Sequence, residues 1–151
     1  MKIIEKYKFG FDVWGLMLFL VVMIPNFIWF AVPAPNDILR AESVTQEIDT
    51  VGSIFQVIFV AALCVLVHRE RGSLCLSPLV MLSAGCVVLY DIGWGMYYGG
   101  LTSPLVMSLL TLPPCLAFIF FALDRKNGIA AFFAACFTVC HVIYGAVNFI
   151  L

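Results

Sequence analysis

Apolar and polar positions divide the chain into five long apolar stretches separated by short polar ones, at roughly 11–32, 51–68, 78–98, 104–123 and 129–151. Each is close to the ~20 residues that a helix needs to cross ~30 Å of hydrocarbon. A backbone in lipid finds no water to bond, so each stretch has to satisfy its own amides as a helix. Transmembrane strands run ~9–11 residues and alternate apolar with polar, which none of these segments does. The pattern predicts an all-α integral membrane protein, a five-transmembrane-helix bundle that takes up 1–151 as a single membrane domain, with an outer loop at 33–50. The first stretch follows a lysine-bearing start, as a signal peptide does. However, its ~22 apolar residues exceed the ~7–15 of a signal core, and Pro33 and Pro35 spoil a cleavage site, so it is kept as a span.

Helix ends and breaks are marked along this pattern. Ser77-Pro78 and Ser103-Pro104 each set an N-cap hydroxyl before a proline at the first helical position. Ser43 with Gln46 reads as a capping box that starts span two within the outer loop. Asn127-Gly128 suits a tight turn, as does Gly99-Gly100, so spans three, four and five are expected to pack as consecutive antiparallel neighbours. Pro25 and Pro113-Pro114 fall inside spans one and four; the latter pair frees the carbonyls of Leu109 and Leu110. Gly95 with Gly99, and Ala130, Ala131, Ala134 and Ala135, are small-residue ridges, expected to serve packing within the chain rather than dimerisation.

Composition agrees: 64% of the 151 residues are hydrophobic and 11% charged, against about 25% charged in a soluble protein. The net charge of −1 excludes nucleic acid as a partner on electrostatic grounds. Charge placement adds an orientation. Lys2, Lys6, Lys8, Arg69, Arg71, Arg125 and Lys126 fall on one side of a five-span chain, and the other side has Arg40 among Asp37, Glu42, Glu47 and Asp49. Short basic loops stay in the cytoplasm, so the N-terminus is expected inside and Leu151 outside. The compact chain with short loops suggests the plasma membrane of a bacterium. No cysteine lies in an outer loop, and no structural disulfide is expected.

The polar residues within the spans carry the functional reading. Counted down from the outer ends at 1.5 Å per residue, Asn26, Gln56 and Asp91 lie ~8–10 Å deep, His141 ~15 Å and Asn148 ~5 Å. Helical spacing groups Asn26 with Trp29, Gln46 with Asp49, Ser53 and Gln56, Asp91 with Trp94 and Tyr98, and His141 with Tyr144 and Asn148. Polar stripes in a membrane face each other or water. The reading is therefore one outward-facing pocket, floored by His141 and Asp91, whose ligand-binding residues are Asn26, Trp29, Gln56, Asp91, Trp94, Tyr98, His141 and Asn148. Asp91 beside Trp94 suits an organic cation or an aromatic ligand, and Asp91→Asn is expected to fold and to lose that ligand. Trp29, Tyr97 and Tyr98 also fit an interfacial aromatic belt.

Cys136, Cys140 and His141 do not converge on one helix face, so no metal is assigned, and no motif names a cofactor or a catalytic residue. The sequence thus favours binding or transport of a small organic solute. The alternative is a sensor or accessory subunit acting through a partner membrane protein or a homodimer. A membrane-embedded enzyme on a lipid-like substrate, with Asp91 and His141 as acid and base, ranks third.

Overall fold

The computed structural model describes residues 3–151. A short 3-10 turn leads into strand β1 (Tyr7–Phe9), followed by α1 (Val13–Ala31), α2 (Gln46–Val65), strand β2 (Leu66–His68), α3 (Pro78–Tyr98), α4 (Pro104–Asp124) and α5 (Gly128–Gly145). The last helix runs on through a wider π-type turn over Ala146–Ile150. All five long helices are long and apolar enough to cross a membrane. In architecture the chain is all-helical and compatible with a multi-pass membrane protein.

Local chemistry explains most of the helix ends. Ser77 Oγ accepts from the Val80 amide at 3.1 Å and Ser103 Oγ from the Val106 amide at 3.4 Å, each with proline at the first helical position. Asn127 Oδ1 caps α5 by accepting from the Ala130 amide at 3.0 Å, and Lys126, not Gly128, takes the left-handed backbone (φ 54°) that turns the chain. The expected capping box does not form. Ser43 and Thr45 both donate to the Asp49 carboxylate, at 2.5 and 2.9 Å, so α2 begins at Gln46 with no side-chain cap. The outer gap therefore ends at Thr45 rather than at 50.

α4 is the centre of the bundle. α3 and α5 pack against it, and α5 in turn packs along α2. The expected series three, four, five is present, with α2 closing the ring onto α5. Small residues permit these approaches. Ala130, Ala131 and Ala134 are buried, and a Cβ at Gly93 would come within 2.9 Å of the Leu109 side chain. The Gly95–Gly99 ridge is different: Gly95 has nothing within 4 Å, so it serves no contact inside the chain, contrary to expectation. α1 is the outlier of the bundle, with only Gly15 and Val22 buried. It touches α2 closely at one place, where a Cβ on Gly15 would sit 3.0 Å from the Leu63 carbonyl oxygen.

Two polar devices close the ends of this bundle, and hydropathy signals neither. At the end carrying the arginines, β1 and β2 pair antiparallel (Tyr7 opposite His68, Phe9 opposite Leu66). Beside them Asp12, only 4% exposed, accepts from the Trp14 and Gly15 amides as the cap of α1 and forms ion pairs with Arg71 and, at 3.0 Å, with Arg125. Asn127 Nδ2 donates to the carbonyls of Ala62 and Leu66, at 2.9 and 2.8 Å, and so pins the exit of α2. At the opposite end the segment 32–45 folds back as a strap. Asp37 is its hub, accepting from Trp29 Nε1 (2.8 Å), Tyr97 Oη (2.9 Å), Arg40 Nε (2.7 Å) and the Ala34 amide (3.2 Å).

Candidate functional site

Beneath the strap lies a cavity of about 470 Å³, walled by residues of all five helices, within the ~300–1,000 Å³ common for small-molecule sites. α1 supplies Phe19, Met23, Asn26 and Trp29; α2 supplies Asp49, Ser53 and Gln56; α3 supplies Tyr90 and Trp94. α4 contributes Thr111, Pro114, Cys115 and Phe118, and α5 contributes Phe137, Cys140, His141 and Tyr144. Of the α4 prolines, Pro114 lines the cavity, as does Leu110.

The cavity is polar at the strap end and apolar below. Near the strap, Asn26 Nδ2 donates to Tyr90 Oη at 2.7 Å and to the Val22 carbonyl at 3.1 Å. That leaves the Tyr90 hydroxyl hydrogen and Asn26 Oδ1 able to engage a guest. Trp94 is 6% exposed, and its buried Nε1–H, beside the Tyr90 hydroxyl, makes no hydrogen bond of good geometry among the described residues. Rings hold it from several sides, with Tyr97 and Tyr90 edge-on at 5.7 and 6.2 Å and Trp29 tilted at 6.5 Å. His141 is stacked between Phe137 (5.0 Å) and Tyr144 (5.8 Å), which fixes its plane along the wall. Asp49 also lines the cavity, but both of its oxygens accept from Ser43 and Thr45. Its charge is turned towards the strap.

Five of the eight residues expected in the pocket line it: Asn26, Trp29, Gln56, Trp94 and His141. The other three do not, and each for a visible reason. Asp91 is exposed on the far side of α3 and forms no hydrogen bond or ion pair among the described residues. It neither pairs with His141 nor floors the cavity, which removes both the anionic centre for an organic cation and the expected acid–base pair. Tyr98 lies outside the lining, where its hydroxyl donates to the Val32 carbonyl at 2.6 Å and secures the start of the strap. Asn148 is consumed by structure. It accepts from the Val44 amide at 2.8 Å and donates to Thr45 Oγ1 (2.8 Å) and the Tyr144 carbonyl (3.0 Å), tying strap to C-terminus. Trp29 has two duties, since it walls the cavity while its indole bonds Asp37 and its ring carries the Arg40 guanidinium at 4.5 Å.

Tyr90, Thr111 and Cys115 were not singled out from sequence. Tyr90 is one helical turn from Trp94, so the i,i+4 relation from the tryptophan could have found it. Thr111 and Cys115 are uncharged, bonded to their own helix at 2.7 and 3.3 Å, and give no such signal. The six cysteines are free thiols, and Cys140 alone of the Cys136/Cys140 pair reaches the cavity. Comparison with protein families, characterised proteins and solved structures gives no match.

Proposed function

We propose that this chain is a multi-pass membrane protein that binds a small organic ligand in an outward-facing cavity, in a bacterial plasma membrane with the N-terminus in the cytoplasm. The observation that carries the reading is the poorly satisfied indole N–H of Trp94, beside Tyr90 on the wall of the cavity. A buried donor left unmade costs about 1–3 kcal/mol, a cost that a ligand oxygen at this position removes. With Asp91 outside the lining and Asp49 satisfied by hydroxyls, the site favours a neutral acceptor over a cation. The buried Asp12, Arg125 and Asn127 at the cytoplasmic end support binding over passage, because a transport path needs an exit there. Native mass spectrometry in mild detergent tests this. Wild type is expected to carry an added mass, and Trp94→Phe, which keeps a ring but no donor, to carry markedly less of it. A folded wild type that takes up no ligand even after incubation with a total lipid and metabolite extract would overturn the proposal.

The second reading, an accessory subunit acting through a partner, is favoured by Asp91 itself. A carboxylate deep in a bilayer costs ~2.5–3.5 kcal/mol at a helix centre by insertion scales. It lies on an exposed face of α3 beside the open Gly95. On this reading Asp91→Leu strips away a co-purifying membrane protein or second copy and leaves the bound ligand in place. Identical complexes from wild type and Asp91→Leu would sink it.

A further inference from the structure

A second, smaller hollow adjoins the cavity at its side. A groove of about 350 Å³ runs between α1 and α2, lined by Phe19, Met23, Gln56, Val57, Val60 and Ala61. Phe19, Met23 and Gln56 belong to both walls, so the groove and the cavity meet at these three side chains. The geometry of the two helices explains the opening. They touch where Gly15 meets Leu63, and one turn further along α1 they have separated enough for Phe19 and Met23 to border open space. Apart from Gln56 the groove is entirely apolar, and Val57 and Ala61 are exposed. If the five helices span the bilayer, this groove lies near mid-span and opens to hydrocarbon rather than to water.

We infer that the ligand is a single-chain amphiphile with a neutral, oxygen-accepting head such as a carbonyl or ester, taken up sideways from the bilayer through the α1–α2 groove. This inference rests on the binding function proposed above and names its substrate class. The head's oxygen accepts from the indole N–H of Trp94 and from the Tyr90 hydroxyl. The chain lies past Phe19, Met23 and Gln56 and leaves between Val57 and Ala61. An aqueous solute has no use for an apolar side door, and a groove of about 350 Å³ suits one chain better than two. The loose seating of α1, which buries only Gly15 and Val22, lets the door widen without disturbing α2–α5.

The test uses the full chain carrying Trp14→Phe, so that fluorescence comes from the two cavity tryptophans. It is reconstituted in phosphatidylcholine nanodiscs and titrated with a monoacylglycerol brominated on its acyl chain. Saturable quenching is expected. It should shift to about tenfold higher monoacylglycerol in Val57→Phe or Ala61→Phe, a change of about 1.4 kcal/mol. Both side chains are exposed, so these variants keep the fold, which their elution and circular dichroism verify. Quenching unchanged by either variant overturns the side entry. Binding of water-soluble ligands by the wild type with no monoacylglycerol response overturns the amphiphile class while leaving the binding function intact. No ligand of either kind would end both.

Discussion

At the scale of single residues, Trp94 and Asp12 are the two positions where a small change should speak loudest. Trp94→Phe is expected to weaken ligand binding about tenfold, the order of one hydrogen bond of about 1 kcal/mol together with some lost packing, measured by quenching titration or adduct intensity. Asp12 differs because its loss strands a cation. Asp12→Ala leaves Arg125, 5% exposed, without its carboxylate, and removing one partner of a buried pair costs about 3–5 kcal/mol. Asp12→Asn should cost less, since its amide oxygen still caps the Trp14 and Gly15 amides. Thermal unfolding in detergent checks the order. A loss for Asp12→Ala no larger than for Asp12→Asn would show that the charge, not the cap, is what matters.

At the scale of elements, the sequence made the helices readable but not their rotation. Ends marked by Ser77-Pro78 and Ser103-Pro104 came out where the hydroxyl and proline chemistry puts them, because capping is local. Asp91 and Trp94 show the opposite case. They are three residues apart and share a broad face of α3, yet the boundary between bundle and surroundings falls between them. In a soluble helix the polar side would have marked the outside. Here both sides are apolar, and only tertiary packing decides which way the helix turns. The strap was likewise hidden. Tyr98 and Asn148 look like pocket residues by depth, whereas their hydrogen-bonding capacity is spent on Val32, Val44 and Thr45.

Two predictions belong at this scale. Gly145→Ala should destabilise α5 by about 1–3 kcal/mol, because a Cβ there would meet Thr111 Oγ1 at 2.5 Å. Gly95→Ala, with nothing within 4 Å, should not lower stability. Equal unfolding temperatures for the pair would mean α4 and α5 do not pack as described. The strap should respond to acid. Burial raises the pKa of Asp37, but bonds from Trp29, Arg40, Tyr97 and the Ala34 amide outweigh it and hold the carboxyl below its usual 3.8. A carboxylate with a lowered value stabilises the fold above its unfolded value and loses that contribution as pH falls through the folded one. The strap is therefore held in full at neutral pH and loosens only below about pH 3.8. Amide exchange over 33–45 should accelerate in that range, and Asp37→Asn should already exchange fast at neutral pH.

For the whole molecule, the five long apolar helices were legible because their length and hydropathy are written directly in the sequence. The division of labour was not. α2, α4 and α5 form a closed core around Phe59, whose ring meets Phe118 at 5.0 Å and Phe137 at 5.4 Å. α1 is a shutter on one side, and α3 presents Asp91 on the other. These roles follow from which faces remain unburied, a quantity that hydropathy averages away. If the proposed function and the accessory reading both hold, ligand and partner address opposite flanks of the molecule.

The lock at Asp12 also has a consequence for how the protein is made. Asp12 lies 59 residues ahead of Arg71 and 113 ahead of Arg125. During synthesis the carboxylate at the start of the first helix therefore waits for Arg71 until the second helix has emerged, and for Arg125 until the fourth has. α1 is the earliest helix to be built, and its lock is completed only at the end of α4. A nascent chain truncated before Arg125 should hold α1 through Arg71, the β1–β2 pairing and the Gly15 contact, with half of the lock still missing.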